Sequence, residues 1–231
     1  RFEPPTDPAS VEQYIVVKKG SPPQIIRDVF TNPDENGGGY VPRAFAIGFD
    51  NGHSALLDLQ NFTLRRWTFG DFARQRTVGK SWYWDMAGSD IVAGLNVDSN
   101  FWLVKSSVDD GDALEEAIAP RMENGTVGRL LGYSPVEQGV KLQFKLHFEI
   151  EGTIKEILVE ETLAPLKIQP EDRSGWMRRI STTDIPADYD LVFKSSTSQT
   201  LVGSPVNIEA SGSIKAFPIP KVQSPDVKLP L

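Results

Sequence analysis

Lys141-Leu142-Gln143-Phe144-Lys145-Leu146-His147-Phe148-Glu149-Ile150-Glu151 alternates polar and apolar residues without a break. That is the two-residue period of a strand with one wet face and one buried face. Glu151-Gly152-Thr153 supplies turn chemistry, and Ile154 to Thr162 reads as the returning strand. The segment therefore predicts an antiparallel hairpin on the surface sheet of a two-layer structure.

The same signals recur on both sides of this hairpin. Downstream, strands are predicted at Trp176 to Thr182, Asp190 to Ser195, Val206 to Ala210 and Ser213 to Phe217. Upstream, Tyr14-Ile15-Val16-Val17 and Gln24 to Phe30 are strand-like, with Gly20 to Pro23 as the turn between them. Asn32 to Gly39, with three consecutive glycines, is a loop. Ala44 to Phe49, His53 to Leu59 and Asn61 to Phe69 predict a meander, and Asn51-Gly52 is the best short hairpin signal in the chain. One helix is predicted, over Ala113 to Ala119. Asp109, Asp110 and Asp112 suit the positive end of its dipole, and Pro120 stops it.

Many short strands, frequent turns and almost no helix define an all-β chain of two packed antiparallel sheets, a β-sandwich with at most one short helix. A closed barrel is the alternative. Residues 1–10 read as an extended N-terminal arm, 11–217 as the sandwich domain, and 218–231 as a Pro-rich tail. There is no internal repeat.

Composition excludes more than it selects. The 231 residues carry a net charge of −7, which disfavours wholesale binding to nucleic-acid phosphates. No apolar run is long enough for a membrane-spanning helix. With no cysteine there can be no disulfide, thiolate metal site or thiol nucleophile. A chain that starts at Arg1 reads as a processed mature protein or a fragment.

Candidates for chemistry are few. The two histidines are far apart in sequence: His147 on the polar face of its strand reads as solvated, and His53 as a loop or strand-edge residue. Glu160 and Glu161 are adjacent strand residues and point to opposite faces, so they cannot work as one acid/base pair. Asp71, Asp85 and Asp90 could supply distant carboxylates, but no pattern selects them. No nucleophile elbow, dinucleotide fingerprint or phosphate loop is present. Asp109, Asp110 and Asp112 are weak calcium candidates without the helix-loop-helix spacing, and a solvated helix start explains them as well. Asn61-Phe62-Thr63 and Asn124-Gly125-Thr126 match the short glycosylation pattern.

The aromatic cluster between Trp67 and Trp102 carries the most weight. Trp67, Trp82, Tyr83, Trp84 and Trp102 are candidates for binding a ligand or partner, because flat amphipathic rings stack on sugars or fill the centre of an interface. Five Trp can equally be core in a β-protein of this size. Within Trp82-Tyr83-Trp84 at least one ring should face outward if the segment is extended.

Pro42-Arg43-Ala44-Phe45-Ala46-Ile47-Gly48-Phe49, then Leu57-Asp58, Arg66-Trp67, Gly70-Asp71-Phe72 and Trp82, resembles a β-domain of large secreted haem-binding proteins. These are the multidomain c-type cytochrome and sugar-dehydrogenase-like proteins of planctomycetes and related bacteria. Leu130-Leu131-Gly132-Tyr133 and the hairpin from Lys141 to Thr162 are similar to that domain's second half. The resemblance spans Arg43 to Thr162. It implies a periplasmic or extracellular sandwich that accompanies redox modules, and it transfers no catalytic residue. The chain lacks the Cys-x-x-Cys-His haem attachment and departs from the Gly-rich pattern between Trp67 and Trp82.

Three functions are thus expected, in descending order. The first is a non-catalytic scaffold module, without a cofactor of its own, that docks to a protein partner such as a c-type cytochrome or a membrane-anchored redox complex. The second is a carbohydrate-binding module with an exposed Trp/Tyr platform. The third is a sandwich-fold carbohydrate lyase or epimerase using His53 or His147.

Overall fold

A computed structural model describes residues 13–32, 39–78, 81–92, 98–106, 117–168, 173–193, 208–211 and 214–216. The predicted arm 1–10, the tail 218–231, most of the predicted helix and Asp109, Asp110 and Asp112 lie outside these residues.

The protein is all-β. Its strands are β1 (Gln13–Ile15), β2 (Gln24–Thr31), β3 (Tyr40–Gly48), β4 (His53–Asp58), β5 (Thr63–Phe69), β6 (Ala73–Val78), β7 (Ser81–Met86) and β8 (Ser89–Val92), followed by β9 (Phe101–Lys105) and β10 (Gly128–Val136). The rest are β11 (Gly139–Ile150), β12 (Thr153–Ile168), β13 (Arg173–Thr183), β14 (Tyr189–Phe193), β15 (Ile208–Ser211) and β16 (Ile214–Ala216). No helix among the described residues is long and apolar enough to cross a membrane. Ile118, near the end of the predicted helix, forms an antiparallel bridge with Leu103 instead.

The chain forms two compact units. The first takes 1–58 and 64–95, the second 59–63 and 96–231. The first unit is one eight-stranded sheet in the order β1-β6-β7-β2-β3-β4-β5-β8. The sheet curls around a core of Phe30, Val41, Ala44, Ala46, Leu56, Phe72, Ala73 and Met86, with Ile15, Ile26 and Trp84 packed at its margin. The meander expected from Ala44 to Phe69 is present as adjacent strands β3, β4 and β5. Its first turn has three residues: Gly52 N–H donates to Phe49 O at 3.1 Å, and Phe49 N–H donates to His53 O at 2.8 Å. Gly52 sits at φ 85°, the left-handed residue that such a turn requires.

The second unit is sandwich-like within itself. A five-stranded sheet, β10-β11-β12-β13-β15, packs against a three-stranded one, β16-β14-β9. Phe101 on β9 meets Phe144 on β11 edge to face at 5.7 Å and Phe193 on β14 at 5.3 Å. Phe62 stacks on Phe144 at 4.3 Å.

The β11–β12 hairpin follows its sequence period throughout. Leu142, Phe144, Leu146 and Phe148 are buried, while the residues between them face the wetter side. Lys141, Lys145, Glu156 and Glu160 interlock on that side, with Lys–Glu distances of 2.9 and 2.6 Å. Glu151 and Gly152 both have positive φ, 50° and 74°, which makes the tight primed turn that matches strand twist. Among the described residues, β2 pairs with β7, β13 with β15, and β14 with β16 in parallel.

Candidate ligand-binding face

The expected aromatic residues separate into three environments. Trp67 is buried, and its indole N–H donates to His53 Nδ1 at 2.9 Å. His53 opens β4, is itself buried and packs its ring against Phe69 at 4.9 Å. The pair is part of the interior: Trp67 has no surface role, and His53, at the strand end the sequence suggested, is nonetheless buried. Trp102 is half-buried and donates its N–H to Ser99 O at 3.0 Å.

Trp82-Tyr83-Trp84 lies on β7 and alternates as a strand must. Trp84 stacks beside Phe30 at the core margin, and its Nε1–H donates to Asp28 Oδ2 at 3.2 Å. Trp82 shares that side of the strand by register and is 63% exposed. Tyr83 points to the other side, together with Asp85.

On that outer side the register brings five strands into one row. Tyr14 on β1 lies opposite Arg74 on β6, and Arg74 lies opposite Asp85 on β7. Thr31 on β2 donates its hydroxyl to Asp85 and lies opposite Tyr40 on β3. One step along, Arg76 faces Tyr83. With roughly 4.8 Å between neighbouring strands, the row spans about 19 Å.

Asp85 organises it. Arg74 Nη2 donates to its carboxylate at 2.9 Å, and Arg76 Nη1 to the same oxygen at 3.4 Å. The carboxylate side chain is 10% exposed, the two arginines 29% and 42%. A covered anion thus holds two guanidiniums that still reach solvent. Tyr14 accepts from Arg74 Nη1 at 3.4 Å and has the Arg74 guanidinium over its ring at 5.9 Å. At the other end Tyr40 meets Tyr83 edge to face, with ring centres 5.8 Å apart. Tyr14 and Tyr40 are both more than half exposed. Aromatic rings and arginine on a rigid sheet are the residue types enriched at interface centres.

Tyr14, Tyr40, Arg74, Arg76 and Thr31 were not singled out by sequence. The signal was available in part: Arg74-x-Arg76 and Tyr83-x-Asp85 lie on either side of Gly79-Lys80 in the sequence, each with two-residue spacing. Tyr14 and Tyr40 are joined to them only by the strand order.

The other expected polar residues serve packing. Asp90 accepts two bonds from buried Arg66, at 2.9 and 3.0 Å. Glu161 lies on the buried face of β12, paired with Arg178 of β13, while Glu160 on the opposite face bonds Gln143. His147 is less solvated than its strand face suggests. It sits between Glu156, 3.6 Å from Nε2, and Glu123, 3.8 Å from Nδ1. Among the described residues no three metal-ligating side chains converge.

The fold and this face define a class, an all-β protein with an aromatic–arginine row on one sheet. No protein-family model, curated protein or solved structure matches the chain.

Proposed function

We propose that this protein is a non-catalytic interaction module that docks to a larger extracytoplasmic assembly through the outer Tyr–Arg row of its first unit. The observation that carries the reading is the composition and hydrogen bonding of that row. Tyr14, Tyr40 and Tyr83 surround two solvent-reaching guanidiniums that are fixed by one covered carboxylate. Preorganised aromatic and arginine side chains lose little conformational freedom on binding, which is what makes such residues dominate interface energetics. The resemblance to a domain of secreted haem proteins makes a c-type cytochrome or membrane-anchored redox complex the first partner to test.

The test is affinity capture from the native source with the wild-type chain and a Tyr14→Ala/Tyr40→Ala double variant. The expected result is a partner with haem absorbance, retained by the wild type and lost by the variant. Equal capture by both chains would remove the row from docking, and a captured partner without haem would remove the redox assignment.

One observation favours a second reading. The exposed Trp82 indole, on the opposite side of β7, is a platform on which a sugar ring can stack. Tryptophan-fluorescence titration with a glycan panel tests it. Quenching that persists unchanged in Trp82→Ala would dismiss it.

A further inference from the structure

We infer that Asn124-Gly125, at the tip of the turn between Glu123 and Thr126, is a site of spontaneous covalent modification, where Asn124 converts to a mixture of aspartate and isoaspartate with water as the only co-reactant. The chain carries three Asn-Gly pairs, of which Asn36-Gly37 lies outside the described residues. Such a pair is prone to this chemistry because glycine has no side chain to shield the nitrogen that attacks the Asn side-chain amide. A bond forms between Gly125 N and Asn124 Cγ, and the Gly125 amide proton leaves with the side-chain amino group as ammonia. Water then opens the five-membered imide. Addition at the side-chain carbonyl gives aspartate. Addition at the main-chain carbonyl gives isoaspartate, in which the backbone runs through Cβ and Cγ.

The structure distinguishes the two described pairs. Asn124 and Gly125 have φ 50° and 76°, the left-handed residues of a primed two-residue turn, and both are exposed. The bonds that close the turn lie outside the pair: Glu123 N–H donates to Thr126 O at 2.8 Å, and Thr126 N–H to Glu123 O at 3.1 Å. Gly125 N–H has no acceptor among the described residues, and the bond that holds the tip is the exposed one from Gln60 Nε2 to Gly125 O, 3.1 Å. A methyl group set on Gly125 would meet nothing within 4 Å. At the other pair, Gly52 N–H donates to Phe49 O at 3.1 Å, and Gly52 O accepts from Gly70 N–H at 2.9 Å. Asn51 Oδ1 accepts from His53 N–H at 3.3 Å, and a methyl group on Gly52 would lie 3.1 Å from the Phe69 ring. Nucleophile and electrophile are both tied down there, so conversion must await local opening.

Conversion at Asn124 reaches beyond the tip. Thr126 Oγ1 lies 3.2, 3.1 and 2.8 Å from the carbonyl oxygens of Leu59, Gln60 and Gly128, and Val127 N–H donates to Gln60 O at 2.8 Å. The longer backbone of isoaspartate displaces Thr126 relative to Glu123 and loosens these ties. Aspartate adds only a charge at an exposed position beside Glu123.

The experiment incubates the folded full chain in mildly alkaline buffer and follows each Asn-Gly peptide by mass, with isoaspartyl methyltransferase labelling to count the isomer. Asn124 is expected to convert roughly tenfold faster than Asn51, the factor that one net hydrogen bond represents. The fraction carrying isoaspartate should melt below wild type, while Asn124→Asp melts close to it. Asn124→Gln, which would have to close a six-membered ring, should lose the label at this peptide. Conversion of Asn51 as fast as Asn124 would overturn the inference, as would an Asn124 that converts in denaturant but not in the folded chain. An unchanged melt of the isoaspartate fraction would overturn the loosening of the turn.

Discussion

Two arginine–carboxylate clusters in this molecule use the same chemistry for different ends. In the second unit Arg178 donates to Glu161 on the buried side of the five-stranded sheet, and the side chains are only 8% and 3% exposed. The Arg178 guanidinium lies 4.8 Å from the ring centre of Phe193 on the facing sheet, so apolar contact seals the pair. In the first unit Asp85 is covered, but Arg74 and Arg76 reach out among exposed tyrosines. A sealed pair can act only on the fold. A pair whose cations stay in contact with water can also act on another molecule. Solvent access, more than residue type, separates the pair that can serve only the fold from the one proposed to serve recognition.

The sharpest way to break this comparison is Glu161→Gln. Removing one charge from a sealed pair strands the other, and a loss of about 3–5 kcal/mol is expected in chemical denaturation. A loss under about 1 kcal/mol would mean that Arg178 is rehydrated and the pair is not sealed. Asp85→Asn comes next, with an expected loss of about 1.5–3 kcal/mol, since hydrogen bonds to one charged group disappear while the arginines can turn to water. A loss equal to that of Glu161→Gln would erase the distinction between the two clusters.

Smaller effects test the surroundings. Glu151 holds a positive φ in the β11–β12 turn, where a side chain costs about 1 kcal/mol relative to glycine. Glu151→Gly should raise the melting temperature, and a lower one would show that the side chain contributes more than its strain. The smallest effect is in the charge lattice on the wet face. The hydrogen bond from Lys145 holds the Glu156 carboxyl below its usual range, and those from Lys141 and Gln143 do the same for Glu160. Depressed carboxylates stabilise the folded state fully above the ordinary Glu value of about 4.3, and that contribution is lost as pH falls through the folded values. Thermal melts of wild type and Glu156→Gln/Glu160→Gln should therefore differ slightly at pH 6 and converge toward pH 3. A gap that widens on acidification would reverse the sign. Exposed pairs of this kind contribute little, so the difference at pH 6 should be the least of the four.

Much of the fold was legible because the sequence periods were strong. Leu142 to Phe148 alternate so regularly that only a half-buried strand satisfies them, and the structure keeps that register from Val140 to Ile150. The strands predicted at Gln24, Ala44, His53, Trp176 and Asp190 also form. The candidate face was less legible. Trp67 and Trp82 have the same residue type and similar glycine-punctuated neighbourhoods, yet one is interior and the other mostly exposed. Burial depends on what lies across the sheet, which no local period encodes. His147 shows the same limit: its strand face was evident, but the nearby Glu123 comes from a separate turn.

The sequence by itself determined the all-β class, the faces of the β11–β12 hairpin, the opposed directions of Glu160 and Glu161, and the exclusion of thiol chemistry. These follow from composition and from a two-residue alternation, and both are local properties. Only the tertiary structure decided that Tyr14, Arg74, Asp85, Thr31 and Tyr40 form one row. Their neighbours in space are up to 60 residues apart in the chain, and it is the order of strands in the sheet that brings them together.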